Sequence, residues 1–167
     1  MAETTPIYGQ TDALAVAVAA WINANPAKFC LAVAAERRFA MLSEKKDIPQ
    51  SGDPASVDVF PDTEAAQRQG ASTAFASEYA IHLYLQQQLG GPVDREDQCA
   101  QLTRLRSELI EGLKSRMFDL TNAVHPVNRV FLAHLRSADK VGLYSLARMM
   151  EVGVYESDTI LVFKASV

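Results

Sequence analysis

The period-two alternation of Tyr79-Ala80-Ile81-His82-Leu83-Tyr84-Leu85 constrains this chain more than any other feature. Tyr79, Ile81, Leu83 and Leu85 fall on one side of an extended backbone and His82, Tyr84 and Gln86 on the other, which is the pattern of a half-buried strand. A second run, Val57-Asp58-Val59-Phe60, predicts a short strand stopped by Pro61. A third, Thr159-Ile160-Leu161-Val162-Phe163-Lys164, is apolar on both faces and suits the interior of a sheet. Between the last two, Leu102, Leu105, Leu109, Leu113 and Met117 recur at steps of three or four. Arg104, Arg106, Glu108, Glu111 and Lys114 lie mostly on the opposite side, so one long amphipathic helix is predicted. Asp94 opens it, with Asp97 as a partial capping box. This order predicts an α+β fold, a mixed or antiparallel β-sheet packed on one face by an N-terminal helix and the long amphipathic helix.

The remaining segments fill in that plan. Thr11 and Asp12 are natural N-caps for a helix carrying Leu14, Val18, Trp21 and Ile22 at helical spacing and ending at Asn25-Pro26. Phe29, Leu31 and Val33 alternate within residues 28–42 and predict a strand, and residues 129–135 alternate in the same way. Residues 143–150 fit either a helical turn or the start of a bent strand. Residues 43–56, broken by Pro49, Gly52 and Pro54, read as a loop, and residues 62–77, rich in Ala, Gln, Ser and Thr, as a second one. Two long loops in one small domain are unusual unless they bind something, which is the strongest physical hint of an interaction role. At 167 residues the chain suits one domain, residues 1–167, and no internal repeat is visible.

Composition excludes several classes. With 49% hydrophobic and 22% charged residues the chain can build a packed core. Its net charge of −4 and scattered basic residues leave no footprint for sequence-specific nucleic-acid binding. Met1 is followed by Glu3 and polar residues, unlike a signal peptide, and the apolar run 13–22 is too short to span a bilayer, so a soluble protein made in a cytoplasm is expected. Cys30 and Cys99 lack zinc-ligand spacing and read as two buried thiols.

The residues offer no fixed point for chemistry. His82, His125 and His134 share no helical ligand spacing, so satisfied or solvated imidazoles are the better reading and no metal site is expected. Ser77-Glu78 and Ser137-Ala138-Asp139 lack the flanking glycines of a nucleophile elbow, and Gly90-Gly91 lacks the glycine and lysine of a phosphate loop. No catalytic residue and no cofactor is therefore assigned. Arg37-Arg38 and Lys45-Lys46 form a basic cluster near the first loop that could face DNA or an acidic partner, although a solvated, aggregation-resistant sheet edge is the better reading.

One resemblance emerges from the order of these pieces. The Val57-x-Val59-x-Pro61 segment, the loop with Arg68-x-Gly70, and Tyr79-x-Ile81-x-Leu83-x-Leu85-Gln86-x-x-Leu89 follow an alanine-rich helix and precede an amphipathic helix and a terminal strand. In that arrangement, from Ala13 to Phe163, the chain resembles the tail terminator and tail-completion (neck) proteins of long-tailed bacteriophages. The stretch from Arg136 to Met150 departs from the family pattern.

The resemblance implies a structural virion protein and no enzyme. Such proteins form a homo-oligomeric ring, usually a hexamer, on the head-proximal end of the tail tube. The ring stops tube growth and offers a surface to the head-tail connector, while DNA passes through its bore. The implied partners are other copies of the chain, the tail tube protein and the connector or neck protein. A ring needs heterologous contacts, which the two loops would supply, and Lys45, Lys46, Gln67, Arg68 and Gln69 are the residues expected at subunit or tube contacts. Two other readings stay open: a head-tail joining or neck adaptor protein on the portal side, and an unrelated small α+β binding domain.

Overall fold

The computed structural model describes residues 10–39, 47–68, 75–91, 93–120, 129–137 and 144–165. It is an α+β fold with the elements α1 (Gln10–Ala24), a 3₁₀ turn (Pro26–Lys28), β1 (Val33–Arg37), β2 (Ala55–Arg68), β3 (Phe75–Gln88), α2 (Arg95–Lys114), β4 (Met117–Asp119), β5 (Arg129–Ser137), α3 (Leu146–Val152) and β6 (Val154–Ala165). Six strands form one mixed sheet in the order β1-β2-β3-β6-β5-β4. Only the β1–β2 pair is parallel; all the others run antiparallel.

Alternation decides which face is covered. Val57, Val59, Ile81, Leu83, Leu85, Tyr155, Leu161 and Phe163 are all buried in one cluster with Leu14, Val18 and Ile22 of α1 and Leu102, Leu105, Leu109 and Leu113 of α2. Both helices therefore lie on the same side of the sheet, as the apolar periodicity predicts. β6 occupies the sheet interior between β3 and β5, as its apolar run predicts, with Tyr155, Leu161 and Phe163 reaching the core.

The helices meet where Trp21 of α1 lies on Gly112 of α2, so close that a Cβ at position 112 would collide with the indole. Trp21 also meets Phe29 edge-on at 6.1 Å and carries the Lys28 ammonium over its ring at 5.4 Å.

Several local expectations are corrected. Thr11 and Asp12 do not cap α1 but sit inside its first turn, buried, with Asp12 accepting from Arg37 Nη1 at 2.8 Å. Asp94 precedes α2 without capping it through its side chain. Arg106 does not face water: it lies half-buried beneath α2 and donates from Nε to Thr159 Oγ1 at 3.0 Å. Met117 belongs to β4 rather than to the helix and is half exposed. Residues 146–152 resolve as a helix, capped by Ser145 Oγ accepting from the Arg148 N–H and ended by Gly153 in the left-handed region at φ 64°.

Pro61 does not stop β2. Ala55 donates to the Ala32 carbonyl and Val59 accepts from the Arg38 N–H, so alternate β2 residues direct their backbone toward β1. β1 pairs no further than Val59, and the next such residue is Pro61, whose missing N–H costs no ladder bond. Among the described residues, no helix is long and apolar enough to cross a membrane.

Candidate functional site

The second predicted loop is largely a ribbon. β2 continues to Arg68 and β3 begins at Phe75, and the pairs Ala66↔Ser77, Gln67↔Ala76 and Arg68↔Phe75 extend past the last β3–β6 pair, Glu78↔Lys164. Sequence composition hid this because residues 62–77 carry few of the β-branched and apolar residues that mark a buried strand. Three residue pairs at strand rise carry the arm about 10 Å beyond the sheet. Among the described residues, no strand pairs with the outer edge of β2 beyond Val59, and β3 loses β6 beyond Glu78.

Three pairs before the arm the register slips between Pro61 and Thr63, which leaves Asp62 as the extra residue of a bulge. Its carboxylate reaches His82, with Oδ2 at 3.4 Å from Nε2. The other imidazole nitrogen, Nδ1, lies 2.9 Å from Asp158 Oδ1 on β6. His82 is thus held between two carboxylates from two different strands. The hydrogen bond to Asp158 raises its pKa above the ordinary 6.5; burial opposes that rise and the Asp62 charge adds to it. Because the two ring nitrogens point at separate carboxylates, the cluster is an ion-pair bridge and lacks the convergent lone pairs of a metal site.

Around this bridge the uncovered face carries Phe60 and Tyr84, 6.2 Å apart and tilted by 51°, with Asp58 paired in register to Tyr84 and Tyr84 to Asp158. Glu156, next along β6, pairs with Arg148 of α3 at 2.8 Å, and burial, then the neighbouring Asp158, pushes its carboxyl up.

The expected interface residues divide between described and undescribed segments. Gln67 and Arg68 occupy the arm's outermost pairs, whereas Lys45, Lys46 and Gln69 lie outside the described residues, as do residues 40–46 of the first loop and 69–74 at the arm's tip. Arg37 and Arg38 are not a solvated basic edge. They carry 19% and 14% side-chain exposure, Arg37 pairs with Asp12, and Arg38 approaches Asp58 at 3.9 Å. Of the three histidines, His125 is outside the described residues and His134 is placed only by register, opposite Val162. The sequence reading missed Asp62 and Asp158. Asp62 lies just past Pro61 and Asp158 just before Thr159, both outside the predicted strands, so neither aligns with His82 in the sequence pattern.

A polar cleft of about 270 Å³ opens at the opposite end of β3, lined by Leu31, Ser51, Asp53, Gln87, Gln98 and Gln101. Its amides mostly serve the fold. Gln98 accepts from the Gly90 N–H at 2.7 Å and donates to Ser51 Oγ, and Gln87 donates to the Asp53 carbonyl at 2.7 Å. Nearby, Cys30 is exposed and Cys99 half-buried, which corrects the expectation of two buried thiols. Burial raises both thiols, with Glu108 adding at Cys30, so neither is poised as a thiolate nucleophile.

Fold and arm together define an α+β sheet protein with a projecting two-stranded ribbon. No protein-family model matches the chain, and no curated protein matches it either.

Proposed function

We propose that this chain is a ring-forming structural subunit of a long-tailed phage, seated at the head-proximal end of the tail tube, where it terminates tube growth and meets the head connector. The observation that carries this reading is the arm. A two-stranded ribbon standing off a sheet leaves backbone donors and acceptors along both edges, and an isolated ribbon is marginally stable in water. A neighbouring subunit that takes up those edges makes the heterologous contact from which closed rings are built. The same chain carries a net charge of −4, compatible with a bore that lets DNA slide without tight phosphate contacts.

In this reading Gln67 and Arg68, whose pairs lie at the arm's end, meet a neighbour, and Lys45, Lys46 and Gln69 complete the proposed contact set. In this reading the chain binds no cofactor and performs no reaction.

The test mixes purified protein with polymerising tail tubes and examines them by negative-stain electron microscopy beside a mass measurement. Rings that cap tube ends are the expected result. Protein that never associates with tubes but binds portal assemblies would move it to the head-side connector, and binding to neither would end the phage reading.

A further inference from the structure

We propose that Asp62, His82 and Asp158 form a proton-operated latch at the β2 bulge, so that the outer part of β2, which leads into the arm, is held to the sheet when His82 carries a proton and loosened when it does not. The latch acts within one chain and is independent of whether the arm meets a neighbour.

Three observations place it there. The bulge puts Asp62 just past the last β1–β2 pair, Arg37↔Val59, and three β2–β3 pairs before the arm, on a stretch of β2 for which β3 is the one pairing partner among the described residues. His82 lies on β3, one register step from that bulge, opposite Phe60 on one side and Ile160 on the other. Asp158 lies on β6, within the body. A protonated imidazole donates from Nδ1 to Asp158 and from Nε2 to Asp62, tying the β2 bulge to the interior strand of the sheet. A neutral imidazole has one N–H. With the shorter contact at 2.9 Å to Asp158 keeping it, the lone pair on Nε2 then faces the Asp62 carboxylate at 3.4 Å, and attraction at the bulge becomes repulsion.

Other titratable residues share that face by register: Asp58 of β2, approached by Arg38, Glu78 and Tyr84 of β3, Glu156 and Lys164 of β6, and on β5 His134 opposite Val162 and Arg136 opposite Ile160. The two carboxylates in direct contact, Asp158 and Asp62, favour the proton in the folded state. His82 is raised above its ordinary 6.5, so its contribution is complete below that value and is lost as pH rises through the folded-state midpoint.

The experiment is amide hydrogen exchange on the full chain at about pH 5.5 and about pH 8.5, corrected for intrinsic rates, with the His82 ring titrated by NMR in parallel. Protection across residues 63–68 and 75–77 should fall by about tenfold for each unit by which bridging raises the imidazole midpoint, and residues 83–87, which open only with the whole fold, should fall by no more than that factor. Asp62→Asn, an exposed bulge position, should fold normally, lower the His82 midpoint and flatten the pH dependence of the arm. His82→Gln should flatten it as well. Arm protection that does not change between the two pH values while His82 titrates, or pH dependence that survives in Asp62→Asn, would overturn the latch.

Discussion

The two halves of the β2–β3 hairpin share one chain and one pairing partner, yet they live in different surroundings. Near residues 55–59 and 81–88, β2 is flanked by β1, β3 by β6, and their inward side chains are sealed under α1 and α2. Near residues 66–68 and 75–77 the same two strands have each other alone among the described residues. Backbone pairing is equal in the two halves, so a difference in stability must come from what flanks and covers them. The last β3–β6 pair, Glu78↔Lys164, marks the boundary between the two halves.

The largest break in that comparison should come from the body. Ile81→Ala removes a side chain with no exposure from the centre of β3 and is expected to cost about 3 kcal/mol in urea denaturation, unfolding arm and body together. Gly112→Ala should follow. Alanine normally stabilises a helix interior by roughly 1 kcal/mol relative to glycine, but here its Cβ meets the Trp21 ring, so a net loss of about 1–2 kcal/mol is expected. If the variant is instead more stable, the α1–α2 contact is looser than described.

A smaller change of opposite sign is expected at Ser157. Its hydroxyl is buried and has no hydrogen-bond partner among the described residues, and Ser157 lines a void of about 10 Å³ with Arg106 and Leu109. Ser157→Ala should therefore raise stability by about 1 kcal/mol, because an unmet hydroxyl is removed at almost no loss of volume. A loss of stability would mean that an ordered water satisfies the hydroxyl. The smallest effect on folding belongs to the arm: Arg68→Glu should change monomer stability by less than about 0.5 kcal/mol while weakening ring assembly tenfold or more, read by sedimentation. Assembly unaffected by that substitution would sharpen the comparison differently, leaving the arm as a mere extension of the sheet.

The sheet body was readable in advance because burial imposes a pattern. Ile81, Leu83 and Leu85 must alternate to reach the core, Leu102 through Leu113 must recur at helical spacing, and Leu161 and Phe163 must reach the same core from β6. The arm was not readable because residues 63–68 and 75–77 carry few of the β-branched and apolar residues that mark a strand, and so look like a loop. Arg106 misled for another reason, since a long side chain can stand on an apolar helix face and still find Thr159 beneath it. The His82 bridge depends on a one-residue bulge and on strands far apart in the chain, and neither leaves a local trace. Gln67 and Arg68 were singled out as loop residues and turned out to be the outermost rungs of the ribbon.

The place of β6 carries a consequence for how this protein comes into being. It is the last of the described strands in chain order, yet it lies between β3 and β5 and supplies Tyr155, Leu161 and Phe163 to the core. During synthesis, β3 and β5 emerge before the strand that joins them, residues 154–165. Closure of this sheet therefore waits on a long-range pairing and is slow by topology.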